Sequence, residues 1–268
     1  MKTDDQDANR FNTDARRYAA YLETPEGRLR ADLTFANLLD FISPNGTRSL
    51  HALDLGCGTG AMSVRLAQLG VQVTAVDSSD AMLELAQQNI ADAGVGDKIT
   101  VKQHDARKEM FPAQSFDIVL CHNLLEYMGD PEAALRGAVR MIRRPSGVLS
   151  LLARNQAGEV MKSALHEGDL ASANANLDSE WTTESLYRGK VRLFRPEPVE
   201  EMMTRASLEV IARRGVRVLS DYLPATISRS TEYERIFALE RELGLRREFY
   251  GVSRYLHVLA RSGSVHNG

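Results

Sequence analysis

Three glycines, Gly56, Gly58 and Gly60, stand at alternate positions in the run Ala52-Leu53-Asp54-Leu55-Gly56-Cys57-Gly58-Thr59-Gly60, where an apolar stretch stops. Glycine at that spacing permits positive φ and removes Cβ atoms, so backbone amides can approach a bound molecule closely. Three carboxylates accompany the turn. Asp54 lies just before it, Asp77 follows the next apolar run, and Asp105 follows the one after that. Such a set can recognise a nucleoside. A carboxylate offers two acceptor oxygens to a pair of ribose hydroxyls, which is the role expected of Asp77, with Ser78 beside it. Asp105 could accept from an exocyclic adenine amine while the Ala106 amide fixes the ring edge, or it could simply cap a helix.

Two nucleoside ligands fit the glycines. Gly56-x-Gly58-x-x-Ala61 matches a dinucleotide fingerprint that tolerates Ala in its last place. A pyrophosphate over the following helix would, however, be repelled by an acid as close as Asp54. Asp54 instead suits a ligand carrying a cationic amine or sulfonium beside the turn, and S-adenosylmethionine carries both.

The elements that must position these residues alternate strand and helix from 50 to 153, the signature of βαβ units and a parallel sheet. Strands are expected at His51 to Leu55, Val71 to Val76, Ile99 to Gln103, Phe116 to Cys121 and Val148 to Leu152. Helices are expected over 60 to 69, stopped by Gly70, over Ala81 to Ala93, capped by Ser79 or Asp80, and from Asp130-Pro131 through Arg144. Asp105 then falls where ligands bind in open α/β sheets, beyond the carboxyl ends of the strands, together with Asp54 and Asp77. Upstream, residues 1 to 10 read as disordered. Thr24-Pro25 opens a helix from about 25 to 42 that ends before Pro44-Asn45-Gly46. After Asn155 the alternation breaks into a polar stretch, 156 to 195, containing the single tryptophan, Trp181, and read as an inserted cap. A helix from Val199 to Ala206, a strand from Val210 to Leu219, a helix over about 230 to 246 and a final strand from Val252 to Ala260 complete the chain.

With 43% hydrophobic residues in 268, the chain can build one large α/β domain with an appended element. The formal net charge of -3 announces no overall basic field, although Arg188, Lys190, Arg192 and Arg195 cluster locally. The polar N-terminus has no apolar segment of a signal peptide, and no window approaches the roughly 18 apolar residues of a membrane span. A cytoplasmic protein without membrane attachment is expected, either monomer or homodimer. Cys57 and Cys121 have neither metal-ligand nor disulfide spacing, so no metal is expected.

The glycine run, Asp77, the Asp105-Ala106 pair and Arg144-Pro145-Ser146-Gly147-Val148-Leu149 resemble the cofactor motifs of class I S-adenosylmethionine-dependent methyltransferases. The resemblance implies a Rossmann-like α/β sheet of seven strands with helices on both faces, mostly parallel, with the last strand, Val252 to Ala260, antiparallel. It also implies S-adenosylmethionine as methyl donor and S-adenosylhomocysteine as product. The chain would then divide into an N-terminal helical segment, 1–45, and a methyltransferase domain, 46–268, bearing the cap.

A narrower resemblance spans nearly the whole chain. Gly27-Arg28-Leu29-Arg30, His122-Asn123-Leu124-Leu125-Glu126-Tyr127, Gly215-Val216-Arg217-Val218 with Asp221-Tyr222-Leu223, and Arg254-Tyr255-Leu256-His257-Val258 are similar to the family of bacterial tRNA 5-carboxymethoxyuridine methyltransferases. That family esterifies a modified uridine at the wobble position of tRNA. By position, the resemblance implies cofactor contacts from Arg30, the Gly56-Cys57-Gly58 turn, Asp77, Asp105, Ala106 and His122, with Arg30 pairing the methionine carboxylate. Cys57 replaces that family's middle glycine, and its cap lysine cluster is missing here.

For a carboxylate acceptor, Arg217, Tyr222, Arg254 and Tyr255 are the groups expected to orient the substrate. A hydroxyl acceptor would need a base, and His122 is the candidate, with a structural hydrogen bond as its other reading. tRNA is the leading acceptor and a small molecule, methylated on oxygen or carbon, the next. An NAD-dependent oxidoreductase and a silent cofactor-binding module are remoter alternatives.

Overall fold

Residues 4–43, 48–108, 111–184, 186 and 189–262 are described by a computed structural model. The Pro44-Asn45-Gly46 turn signal and Arg188 lie outside them. Strands β1 (His51–Leu55), β2 (Gln72–Asp77), β3 (Ile99–Gln103), β4 (Ile118–His122) and β5 (Val148–Arg154) pair in parallel. After a separate hairpin, β6 (Trp181–Glu184) and β7 (Gly189–Arg192), the chain adds β8 (Leu208–Val216) and β9 (Tyr255–Ser262). β9 runs antiparallel to both neighbours, which completes a seven-stranded sheet of order β3-β2-β1-β4-β5-β9-β8. This is the class I methyltransferase sheet.

Alternate strand residues feed two cores. Leu53, Leu55, Val119, Cys121, Leu149 and Leu151 point to one face, against α5 (Pro131–Arg140) and α8 (Pro196–Arg205). Ala52, Val73, Ile118, Leu120 and Val148 point to the other, against α2 (Pro25–Leu39), α3 (Ala61–Gln68) and α4 (Asp80–Asp92). Burial on both sides explains why β4 and β5 read as near-continuous apolar runs. Local signals act where expected: Thr24 Oγ1 accepts from the Gly27 amide at 3.1 Å with Pro25 opening α2, and Ser79 Oγ accepts from Met82 N at the start of α4.

Four expectations change. Residues 4 to 10 belong to a helix, α1 (Asp4–Leu22), rather than to a disordered tail. Its Phe11, Ala15 and Tyr18 pack with Ala81, Met82 and Leu85 of α4, and that burial is what a polar opening sequence did not announce. α5 ends at Arg140, not Arg144, because the chain turns back to the sheet: Arg143 N donates to Phe116 O at 2.7 Å, and its guanidinium donates to Asp117 at 2.6 Å. β8 ends at Val216, where Arg217 adopts φ 61°. β9 starts at Tyr255 because Ser253 Oγ bonds Tyr250 O and Tyr255 O, at 2.7 and 2.8 Å, and holds a turn there.

The cap expected over 156 to 195 contains α6 (Gln156–Met161), α7 (Leu170–Asn176) and the β6–β7 hairpin. Phe194 N donates to Arg154 O, tying the cap's end back to β5. α9 (Tyr233–Leu245) packs behind β8 and α2.

Candidate active site

Strand register assembles one edge of the sheet. Leu55 pairs with Val76 and with Cys121, so Gly56 stands level with Asp77 on one side and His122 on the other. Arg154 at the end of β5 pairs with Tyr255, which also pairs with Val216, just before Arg217. This edge opens into a cavity of about 600 Å³. α1 covers it with Phe11, Tyr18 and Tyr21, and the hairpin contributes Thr183, Glu184 and Leu186.

At the glycine turn, Gly56 has φ 69°, and a Cβ there would meet Leu124 Cδ1 at 3.0 Å; Gly58 has φ 52°. A side chain would thus strain the turn and fill the cavity wall. The Gly58 amide donates to Asp77 Oδ2 and the Ser79 amide to Oδ1, both at 2.9 Å. Each carboxylate oxygen keeps a lone pair, and Asp77 lines the cavity. Burial raises its pKa despite those amides. Ser78, Asp105 and Ala106 also line the cavity. Arg107 holds Asp105 in a bidentate fork, with Nε to Oδ1 at 2.8 Å and Nη2 to Oδ2 at 2.7 Å, and holds its pKa below the ordinary carboxylate value.

Asp54, Cys57 and Gly60 are not among the lining residues. The Asp54 carboxylate turns inward, accepting from Ser63 Oγ at 2.7 Å, and burial pushes its pKa up to about 6. Cys57 offers its amide to Val76 O at 2.9 Å, and Gly60, with φ 73°, brings α3 close to Ala86. All three shape the turn from behind.

Arg30 is the cavity's distinctive cation. It is 7% exposed, donates to Tyr18 Oη at 2.9 Å and lies over the Tyr18, Tyr21 and Tyr255 rings at 5.0–5.6 Å. No carboxylate pairs it among the described residues. A buried guanidinium without a paired carboxylate fits an anionic ligand group. Three further arginines line the same cavity, Arg217 and Arg254 buried and Arg154 half-buried. Arg217 donates through Nη1 to Tyr21 Oη at 2.7 Å and pairs with Asp221. Arg254 donates to Gly158 O at 2.9 Å and Glu159 Oε2 at 3.0 Å. Arg154 faces Glu184 at 3.5 Å and Glu159 at 3.9 Å. Glu240, fully buried on α9, accepts from the amides of Val218, Leu219 and Ser220 at 2.6–3.1 Å, and so fixes the loop carrying Arg217 and Asp221.

Burial raises the Tyr255 hydroxyl pKa, but Arg154, Arg30, Arg217 and Arg254 outweigh it and hold the group down at about 7. His122 lines the cavity while its Nε2 is 2.8 Å from Ser150 Oγ; burial and the Arg30 charge depress its pKa to about 3, so the ring is neutral. That makes it a poor proton acceptor, and its structural hydrogen bond is the reading the geometry favours. Tyr222, expected to orient the acceptor, is not a lining residue; its hydroxyl donates to Gly158 O at 3.5 Å. Sequence reasoning passed over Tyr18, Tyr21, Arg154, Glu159 and Asp221. The spacing of Phe11, Ala15, Tyr18 and Leu22 carried a helical signal for the first two. Asp221 stood in a segment that carried the whole-chain resemblance without being assigned a role, and no comparable signal marked Arg154 or Glu159.

No His, Cys, Asp and Glu cluster among the described residues could hold a metal ion, and none of the described helices is long and apolar enough to cross a membrane.

The sheet order, the glycine turn and the carboxylates at the end of β2 and beyond β3 define a class I S-adenosylmethionine-dependent methyltransferase. Comparisons with known proteins agree. A methyltransferase domain family matches residues 52–147. The tRNA 5-carboxymethoxyuridine methyltransferase of Escherichia coli K12 is 28% identical over 240 residues, 89% of this chain and 90% of the relative. The ubiquinone biosynthesis O-methyltransferase of Aromatoleum aromaticum is 30% identical over 185 residues, 66% of this chain and 72% of the relative. The magnesium protoporphyrin IX methyltransferase of Synechocystis PCC 6803, solved with bound S-adenosylhomocysteine, aligns with a TM-score of 0.64 at 14% identity, covering 96% of this chain and 98% of that one. The chain belongs to the S-adenosylmethionine-dependent methyltransferases, and S-adenosylmethionine is its cofactor.

Proposed function

We propose that this methyltransferase esterifies a carboxylate, and that the acceptor is 5-carboxymethoxyuridine in tRNA. The observation that carries the reading is the arginine arm of the cavity: Arg154, Arg217 and Arg254 surround Tyr255 beyond the glycine turn. Arginine forks suit planar carboxylates. A carboxylate is ionised at neutral pH and needs no base, which agrees with a cavity histidine that stays neutral.

The cofactor supplies an electrophilic methyl group on a sulfonium. Asp77 would take the ribose hydroxyls, Asp105 and Ala106 the adenine edge, the amides of the Gly56 to Gly58 turn the ligand backbone, and Arg30 the methionine carboxylate. The arginine arm would orient one carboxylate oxygen toward the methyl group that the bound cofactor would supply, so that transfer would leave the sulfur neutral and the acceptor esterified. The products are a methyl ester and S-adenosylhomocysteine, and no proton moves. Alignment of the two reactants accounts for most of the acceleration.

The RNA part of the reading draws on the Escherichia coli relative and on the hairpin. Trp181, Thr183, Lys190 and Arg192 share one face of β6–β7; Lys190 and Arg192 lie over the indole at 4.8 and 4.4 Å, and Thr183 reaches the cavity. An aromatic with flanking cations beside a nucleotide-sized opening suits a single-stranded RNA loop.

A second reading has its own support. A Tyr255 hydroxyl held at about 7 could act as base for a hydroxyl acceptor such as a phenol, and the ubiquinone biosynthesis relatives are named as O-methyltransferases. Incubation with methyl-labelled S-adenosylmethionine and tRNA bearing 5-carboxymethoxyuridine separates the two. Expected is a nucleoside methyl ester that releases methanol in mild alkali. No ester on that tRNA, together with an alkali-stable methyl ether on a phenol, overturns the carboxylate assignment.

A further inference from the structure

A chain of side chains runs from the back of the sheet to the cavity. Arg241 Nη1 is 3.5 Å from Asn37 Oδ1, Asn37 Nδ2 is 3.4 Å from His257 Nδ1, His257 Nε2 is 2.8 Å from Ser150 Oγ, and Ser150 Oγ is 2.8 Å from His122 Nε2. Asn37 is 3% exposed, and Ser150 and His257 are fully buried. Neither histidine is charged, because burial holds both pKa values far below the ordinary imidazole value.

The direction of every bond in this chain follows from its first member. A guanidinium can only donate, so it faces the oxygen of the Asn37 amide and turns the NH2 toward His257. His257 Nδ1 must then accept, which puts its single proton on Nε2. That N–H donates to Ser150 Oγ, and the one hydroxyl proton of Ser150 is left to donate to His122 Nε2. His122 accordingly carries its proton on Nδ1. Nδ1 has no partner within the protein among the described residues and is not among the buried unpaired atoms, so this edge of the ring is open to the cavity. Arg30 is close enough for its charge to act on the same ring.

We infer that Asn37, His257 and Ser150 are positioning residues that lock His122 as a hydrogen-bond donor into the cavity, beside Arg30 and toward the anionic end of the cofactor. This deepens the assignment of Arg30 to the methionine carboxylate and rests on it. A histidine left to itself would populate both neutral tautomers, and half of that role would be presented as an acceptor, which a carboxylate repels. The relay removes that choice.

Nitrogen-15 correlation spectra of the wild-type protein should report His122 as the Nδ1–H tautomer and His257 as Nε2–H. In Ser150→Ala, His122 should lose that single tautomer. S-adenosylhomocysteine binding should then weaken about tenfold, the scale of a hydrogen bond to a charged group, while 5′-methylthioadenosine, which lacks the amino-acid end, should bind as before. An Nε2–H tautomer or an imidazolium at His122 in the wild type overturns the relay, as does equal weakening of both ligands in a Ser150→Ala protein that still melts cooperatively. If instead Arg30→Ala leaves S-adenosylhomocysteine affinity unchanged, the carboxylate assignment fails while the tautomer measurement still stands or falls separately.

Discussion

Replacing Asp77 by Ala removes one group that does two jobs. In the protein alone its oxygens accept from the Gly58 and Ser79 amides, both at 2.9 Å. The Gly58 amide borders the cavity, where water can take over, so the stability cost is set mainly by Ser79 N and should be about 1–3 kcal/mol. For the ligand, two hydroxyl-to-carboxylate bonds at about 1.5–3 kcal/mol each are lost. Even the lower sum, about 3 kcal/mol, weakens binding roughly a hundredfold. Calorimetry should therefore find S-adenosylhomocysteine and 5′-methylthioadenosine weakened together, since both carry the ribose. Arg30→Ala should weaken only the first, because only that ligand carries the carboxylate. A thermal melt separates folding from binding. If Asp77→Ala melts cooperatively and binds S-adenosylhomocysteine within a few-fold of wild type, the placement of the ribose at the end of β2 is wrong.

Asp54 has a folded pKa of about 6 against an ordinary 3.8, so the folded state holds an extra proton between those values. Stability attributable to it is then lost as pH rises from about 4 to 6, by up to about 3 kcal/mol, and Asp54→Asn should gain on wild type in melting temperature over that interval. Tyr255 is shifted the other way: ionised when folded above about 7 but only near 10.0 when unfolded, it should favour the wild type over Tyr255→Phe increasingly from pH 7 to 10. Its phenolate absorbance should titrate near 7 and vanish in Tyr255→Phe, and that variant should keep methylating a carboxylate while losing a phenolic acceptor. Reversing the hairpin charges with Lys190→Glu and Arg192→Glu should raise KM for tRNA about tenfold or more through lost phosphate contacts, with S-adenosylhomocysteine affinity unchanged in calorimetry.

The sheet was legible because its pattern is local. Apolar runs bounded by Gly70, Asp77, Gly94 and Asp105 mark β1 to β3 and their helices within a window of a few turns, and the observed strands fall within a residue or two. Element ends were not legible where a distant partner decides them. Arg143 leaves the helical course of α5 because Phe116 and Asp117 stand ready to take its amide and guanidinium, 26 residues back for the closest contact. α1 shows the same physics at the other end of the scale. Its polar first turn predicts disorder, yet Phe11, Ala15 and Tyr18 find α4, and Asn12 Oδ1 accepts from Ser79 Oγ at 2.6 Å beside the start of that helix.

The two halves of the site differ in the same way. The glycine turn and Asp77 lie on adjacent parallel strands, so an alternating glycine pattern and the next strand's terminal acid already place them level with each other. The arginine arm has no such economy. Arg30, Arg154, Arg217 and Arg254 come from α2, β5 and the two turns flanking β8 and β9; the whole-chain resemblance singled out Arg30, Arg217 and Arg254, while no local spacing marked any of the four and Arg154 carried no signal at all. Four guanidiniums crowd one tyrosine only because Glu240 orders the Arg217 loop through three amides, while Glu159, Glu184 and Asp221 balance three of the charges. Among the described residues, that balance leaves Arg30 as the cavity arginine with no paired carboxylate. The geometry therefore separates a cation without a carboxylate partner, beside the glycine turn, from a charge-balanced arm, where the proposed acceptor carboxylate would enter by exchanging partners, a distinction no spacing of residues in the chain could express.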